Sequence, residues 1–262
     1  MAAIEAIASA AREVGDRALK RWRHLVGGGA VKQWAKADAS LVCEVDLDTD
    51  RRLKGLLGAL APDAGWLSEE TADDPSRLRC GRLWCVDPID GTRDFLRGRT
   101  GWAVSIALVE QGAPIAGVLY APARDELWVA AAGEGATLNG RRLAVGTRAR
   151  LAGSRVPSHD LPREDRDLVK VAQPNSIALR MAMIADDRAD LVATLRWGSE
   201  WDIAAAALIV AEAGGVVTDA LGAPLRFNKP DPQAFGVLAT VPDIHDAAVA
   251  RLAGRARAAV RG

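Results

Sequence analysis

The sequence predicts a mixed α and β protein, with an α+β N-terminal half and an α/β C-terminal half. Three observations carry this expectation. A three- and four-residue apolar periodicity opens the chain, apolar runs separated by turn residues fill the stretch from 83 to 131, and helix and strand patterns alternate after residue 145. The seam falls near residues 135–150, dividing the chain into an N-terminal subdomain, 1–145, and a C-terminal subdomain, 146–262. Neither an internal repeat nor a low-complexity linker is visible.

Ile4, Ile7, Ala11, Val14, Ala18 and Trp22 recur at helical spacing, with Arg12, Asp16, Arg17 and Lys20 between them. They predict an amphipathic helix ended by Gly27-Gly28-Gly29. A second helix is expected from Asp46 to Leu60, closed by Ala61-Pro62. Leu83-Trp84-Cys85-Val86 reads as a buried strand that Pro88 and Gly91 break. Trp102–Val109, Ile115–Tyr120 and Glu126–Ala131 read as successive strands, with turns at Gln111-Gly112, Pro122 and Asn139-Gly140. In the second half, strands are expected at Leu168–Val171, Asp190–Leu195, Val216–Thr218 and Phe235–Ala239. Helices are expected at Ser176–Ala185, Asp202–Ala213 and Ile244–Val260, the middle one closed by Gly214-Gly215.

The 262 residues are about half apolar, ample for a packed core. Lys plus Arg is 34 and Asp plus Glu is 34, so the chain lacks the basic excess of a nucleic-acid binder. The longest apolar run, Ile203 to Ala211, is too short to span a bilayer. Glu5, Arg12 and Glu13 interrupt the N-terminus where a signal peptide needs an apolar core. Cys43, Cys80 and Cys85 are odd in number, without zinc-type spacing, which fits a reducing compartment. A cytoplasmic protein is expected. His24, His159 and His245 are scattered and are read as surface or helix-end residues. Arg251, Arg255, Arg257 and Arg261 have no acids among them and are read as a solvated helix face, with a subunit contact as the alternative.

The stretch Trp84 to Thr92 carries the chemistry. A buried strand delivers Asp87 and Asp90 into a turn stiffened by Pro88 and released by Gly91. Carboxylates beside an apolar strand are costly unless paired or bound to a cation, and magnesium takes such oxygens. A polar turn in which Asp caps backbone amides explains the same pair. Ser68-Glu69-Glu70 again places acids just past apolar residues. From Asp38 to Asp94 there are thirteen acids against seven bases, in a neutral protein. Asp202 opens a strong helix, either as its N-cap or as a rigidly held metal ligand.

Together these pieces resemble the inositol monophosphatase superfamily of magnesium-dependent, lithium-sensitive phosphatases. Asp87 to Thr92 matches its Asp-Pro-Ile/Leu-Asp-Gly-Thr signature, and Ser68 to Glu70 its Gly/Ser-Glu-Glu motif. Trp201 to Ala206 matches Trp-Asp-x-Ala-Ala-Gly, with Ala206 in place of the last glycine. Leu41 to Asp46 loosely matches Pro-Val-Thr-x-Ala-Asp. The resemblance implies the sugar-phosphatase fold, a layered αβαβα sandwich with the active site at the seam, and a homodimer. It implies one magnesium on Glu69, Asp87 and the Ile89 carbonyl, and a second on Asp87, Asp90 and Asp202; a third ion is allowed, and lithium is expected to inhibit. It also implies that Glu69 and a Thr92–Asp46 hydrogen bond help water attack the phosphate, which the Gly91 and Thr92 amides cradle.

The resemblance implies a small phosphorylated metabolite as substrate. In animal inositol monophosphatases a glutamate seven residues before the Trp-Asp aspartate contacts the inositol hydroxyls; here that count reaches Leu195. The segment Thr92-Arg93-Asp94-Phe95-Leu96 and the run Trp102 to Leu108 look more like the 3′(2′),5′-bisphosphate nucleotidase branch, which acts on 3′-phosphoadenosine 5′-phosphate. Ser176 to Arg180 resembles a Gly-Ser-x-x-Leu-Lys substrate wall, from which Arg180 would grip a second phosphate bidentately or face solvent. Inositol-1-monophosphatase is the alternative, and a non-catalytic member of the same fold the alternative of another class. The Asp-x-Asp-Gly-Thr of haloacid-dehalogenase phosphatases spaces its acids by two, whereas Asp87 and Asp90 are three apart.

Overall fold

A computed structural model describes residues 2–36 and 40–261; Asp38, the first acid of the acidic stretch, lies outside them. The first layer is α1 (Ala2–Val26) and α2 (Glu44–Leu60), linked through the antiparallel strands β1 (Gln33–Ala35) and β2 (Leu41–Cys43). Ile7, Ala11 and Val14 of α1 and Leu53 and Leu57 of α2 face one side of a seven-stranded sheet. Fully burying each of these two leucines stabilises the protein by roughly 2 kcal/mol.

That sheet is β3 (Gly65–Ser68), β4 (Arg82–Asp90), β5 (Ala103–Glu110), β6 (Ala113–Ala121), β7 (Glu126–Ala131), β8 (Gly135–Leu138) and β9 (Arg141–Arg142), neighbours in chain order. Only β3 and β4 pair parallel. Strand alternation divides β4 between two cores: Trp84 and Val86 face α1 and α2, Leu83 and Cys85 face the other side. Burial on both faces is why this stretch reads as a continuous apolar run.

On the other side lie α4 (Ile177–Ala185) and α5 (Glu200–Glu212). Helix α5 is apolar around its circumference because it is covered by both sheets. It approaches β6 so closely that a Cβ on Gly117 would lie 2.8 Å from the Ala205 carbonyl oxygen. The fourth layer is an antiparallel sheet in the order β12 (Leu191–Ser199), β14 (Gln233–Thr240), β13 (Val216–Thr218). The fifth is α6 (His245–Arg261), whose Ala248 and Leu252 complete the larger core. The order is therefore αβαβα. The parallel pair β10 (Arg155–Pro157) and β11 (Val169–Val171) flanks the C-terminal half.

The expected turn at Asp87–Thr92 is strand for most of its length. β4 continues to Asp90, and its pairing with β5 is irregular between Asp87 and Asp90. Pro88 lies in that gap and has no N–H for the ladder, so the strand bulges there rather than ending. The chain turns at Gly91, whose φ of 98° is left-handed, and enters α3 (Thr92–Leu96), a short helix the sequence reading did not anticipate. The short strands β1, β2, β3, β8, β9 and β10 were also not expected, being too brief to show a period.

Two expectations about charge change. Arg251 and Arg255 are not merely solvated: their Nη1 atoms lie 2.8 Å from Asp167 Oδ1 and 2.7 Å from Asp165 Oδ2, acids of a distant segment. His245 does open a helix, but it is buried, with Nδ1 2.9 Å from Thr240 Oγ1 and Nε2 3.3 Å from Thr218 Oγ1. Among the described residues no helix is long and apolar enough to cross a membrane.

Candidate active site

Four chain segments bring five acids to the seam between the large sheet and α5. Asp87 and Asp90 end β4, and both are buried. Glu69 follows β3, which pairs beside β4 with Ser68 opposite Val86. Asp202 is the third residue of α5, so the helix does begin earlier than the sequence indicates; Ser199 is its N-cap. Asp46 is the third residue of α2, where its Oδ2 accepts the Cys43 N–H at 2.8 Å. Both helices use the capping-box arrangement, which needs an acceptor at the third position and holds each carboxylate at a helix start.

The protein's own donors engage one oxygen of each proposed aspartate ligand. Asp87 Oδ1 accepts the Ile89 N–H at 3.0 Å. Asp90 Oδ2 accepts the Ser176 hydroxyl and the Ala178 N–H, the latter at 2.8 Å. Asp202 Oδ2 accepts the Ser199 N–H at 3.4 Å. The other oxygen of each has no hydrogen-bond donor among the described residues. Gly91 is what brings Ser176 near: a Cβ there would lie 2.6 Å from the Gly101 carbonyl oxygen and 3.1 Å from the Ser176 nitrogen.

Crowding burial and like charge together raises the carboxyl pKa values. Burial lifts Asp87 well above the ordinary carboxylate range, and the charges of Glu69, Asp90 and Asp202 lift it further. Burial, then the charges of Asp90 and Glu69, act likewise on Asp202. Burial takes Asp90 to about 6, opposed by the Ser176 and Ala178 hydrogen bonds. Asp46 also reaches about 6 through burial, held down by hydrogen bonds from Cys43 and Thr92.

Among the described residues the cation in closest contact with these acids is a lysine. Lys36, next to β1, places Nζ 3.0 Å from Glu69 Oε1 and 2.7 Å from Glu70 Oε1. Among the described residues no three of His, Cys, Asp or Glu converge as a ready metal cage. The donor set nevertheless fits a hard divalent cation: carboxylate oxygens, several free of protein donors, in a region that favours gaining positive charge.

Thr92 Oγ1 lies 3.0 Å from Asp46 Oδ1 and 3.1 Å from the Ile89 carbonyl oxygen. A hydroxyl has one proton and two lone pairs. Donation to either acceptor leaves a lone pair to receive a proton from water.

The substrate wall departs from the sequence reading. Arg180 Nε and Nη2 donate to the Pro174 and Asn175 carbonyls at 2.8 and 2.6 Å, which fixes the guanidinium against its own loop and leaves the Nη1 and remaining Nη2 N–H groups for other acceptors. Ser176 is the N-cap of α4 and supports Asp90. Leu195 packs against Ala220, Phe235 and Ala256. β12 is irregular between Thr194 and Trp197, and this defeats a simple residue count. Arg196 and Trp197, which the sequence reading missed, share a cleft with Asp202. Arg196 is exposed and forms no close ion pair among the described residues; its charge acts to lower the pKa of Asp202, and by like charge that of Arg180, although burial is the larger cause there. The Trp197 ring, 56% exposed, stands edge-to-face on Phe235 with centroids 5.4 Å apart.

The inositol monophosphatase family model matches residues 2–258. The Nus factor SuhB of Xylella fastidiosa is 33% identical over 253 residues, covering 90% of this chain and 89% of that protein. The histidinol-phosphatase of Mycobacterium tuberculosis is 32% identical over 253 residues, covering 90% and 94%. The solved structure of a Thermotoga maritima IMPase superposes with a TM-score of 0.84 at 29% identity, covering 100% of this chain and 99% of that one. With a family match from end to end and the five-layer fold beneath it, the chain belongs to the inositol monophosphatase family and is a phosphoric monoester hydrolase.

Proposed function

We propose that this phosphatase is magnesium-dependent and acts on a small phosphate ester carrying a second phosphate, with 3′-phosphoadenosine 5′-phosphate the best fit. The observation that carries the substrate choice is the exposed Arg196, in no close ion pair among the described residues, sharing a cleft with Asp202 and the exposed Trp197 ring. A guanidinium suits a second phosphate, and an indole face offers a stacking surface to a base. A monophosphorylated polyol has no second phosphate to offer the guanidinium.

Glu69, Asp87, Asp90, Asp202 and the Ile89 carbonyl would hold the metal. When bound, magnesium offsets the charge that develops on the transferring phosphate and makes water more acidic. The chain supplies the rest. Thr92, tied to Asp46, orients the attacking water with its free lone pair. The Gly91 and Thr92 N–H groups open α3, where the first turn leaves donors for phosphate oxygens. Ser176 and Ala178 hold Asp90 in one orientation. Arg196 receives the phosphate that is not hydrolysed.

The test is a substrate panel in magnesium: 3′-phosphoadenosine 5′-phosphate, inositol 1-phosphate, fructose 1,6-bisphosphate and histidinol phosphate. The expected kcat/KM for the first exceeds that for inositol 1-phosphate by about tenfold or more, equivalent to about 1.4 kcal/mol. Equal or reversed preference overturns the nucleotide assignment and makes the protein an inositol-1-monophosphatase.

A further inference from the structure

Two buried charges outside the acid cluster meet at one dipeptide. The Arg77 side chain is 1% exposed; its Nε and Nη2 bind Asp73 at 2.6 and 2.9 Å. Its Nη1 donates to Asn228 Oδ1 at 2.7 Å, and Nη2 also donates to the Lys229 carbonyl at 2.9 Å. From the opposite side Glu200, with no exposed surface, accepts the Asn228 N–H at 2.6 Å and the Lys229 N–H at 3.2 Å. Asn228 holds a φ of 61° between these partners.

The clamp joins the two halves of the proposed metal site. Glu200 is the first residue of α5, two before Asp202. Asp73 and Arg77 lie on the segment that follows Glu69 and Glu70. Burying a guanidinium and a carboxylate is expensive, and apolar residues of similar size are often no less stable, so stability alone does not call for them. What the network does supply is rigid spacing between elements. Groups hydrogen-bonded directly to a metal's ligands change metal affinity by about 10- to 100-fold when removed, and this clamp acts on Asp202 one step further out, through the backbone that opens α5.

We propose that Arg77 and Glu200 are positioning residues: acting through Asn228 and Lys229, they set the N-terminus of α5, and hence Asp202, against the Glu69 segment, and so set divalent-cation affinity. This rests on the reading of Glu69 and Asp202 as metal ligands.

The experiment is manganese titration of the full chain by calorimetry, for wild type, Glu200→Gln, Asn228→Gly, Asp202→Asn and His245→Ala. Asn228→Gly removes the acceptor for Arg77 Nη1 while glycine accepts the positive φ without strain, so this variant keeps its fold. Asn228→Gly and Glu200→Gln are expected to weaken manganese binding by roughly 10-fold or more. Their KM for substrate at saturating metal should stay near wild type. His245→Ala, a buried polar change in the other sheet, lowers Tm without changing manganese affinity. Wild-type affinity in Asn228→Gly overturns the proposal, as does an equal loss in His245→Ala, which would make the effect one of stability. Wild-type affinity in Asp202→Asn instead overturns the ligand reading on which the proposal rests.

Discussion

Lys36 Nζ lies 3.0 Å from Glu69 Oε1, so the acid cluster carries a countercharge of the protein's own. Burial lowers the pKa of Lys36, but the charges and hydrogen bonds of Glu69 and Glu70 outweigh it and raise it overall. A cation bound to Glu69 competes with this ammonium. Lys36→Met is therefore expected to lower Tm in EDTA by about 2 °C or more, since like charges lose their partner. The same variant should bind magnesium more tightly. Unchanged magnesium affinity would show that Lys36 does not share the ligand oxygen.

Asp90→Asn keeps the size and can still accept from Ser176 and Ala178, but removes one negative charge. Activity should fall by about 100-fold or more, while the fold survives because carboxylate crowding is relieved. Phosphate release and circular dichroism check the two halves. Full activity in this variant is incompatible with Asp90 as a metal ligand.

Thr92→Ala removes the hydroxyl that bridges Asp46 and the Ile89 carbonyl. Its effect should fall on kcat, by about 100-fold, rather than on KM, because the group orients water rather than the ester. A rise in KM alone would make Thr92 a binding residue.

Arg196→Ala should lower kcat/KM for 3′-phosphoadenosine 5′-phosphate by about tenfold or more, with little effect on inositol 1-phosphate. A charge-assisted contact to a second phosphate is lost only for the substrate that has one. Equal losses on both substrates would place Arg196 at the reacting phosphate.

The metal-free protein should lose stability as pH rises. Burial holds Asp46 and Asp90 at about 6 and, with Glu69 charge added, Glu70 at about 7, against ordinary values near 4. A carboxyl with a raised folded pKa binds its proton more tightly when folded. The stability it contributes is fully present below about pH 4 and is lost as pH rises through 6 to 7. In EDTA, Tm should drop by roughly 5 °C between about pH 5 and pH 7.5, and magnesium at the higher pH should restore it. A flat profile would mean that the acids are not packed this closely in solution.

Local signals were enough for the long elements. The amphipathic stripe Ile4 to Trp22 became α1, and the apolar run Ile203 to Ala211 lies within α5, because a helix or strand facing a core must repeat its apolar residues at its own period. The acids were legible too. Asp87 and Asp90 stand beside an apolar run and Asp202 begins a helix, and both are properties of neighbours in the chain. Short strands such as β1 and β3 were not legible, since three or four residues hold no period. Tertiary structure alone decided what depends on partners far apart in sequence. Arg180 is anchored on the carbonyls of residues 174–175, a bulge turns Leu195 away and puts Arg196 beside Asp202, and Arg77 reaches residue 228. Residue types and spacings determine which chemistry the chain can carry. Which oxygen, which guanidinium and which face remain for it are set by packing, because a side chain's free hydrogen-bonding groups are those that distant segments have not already taken.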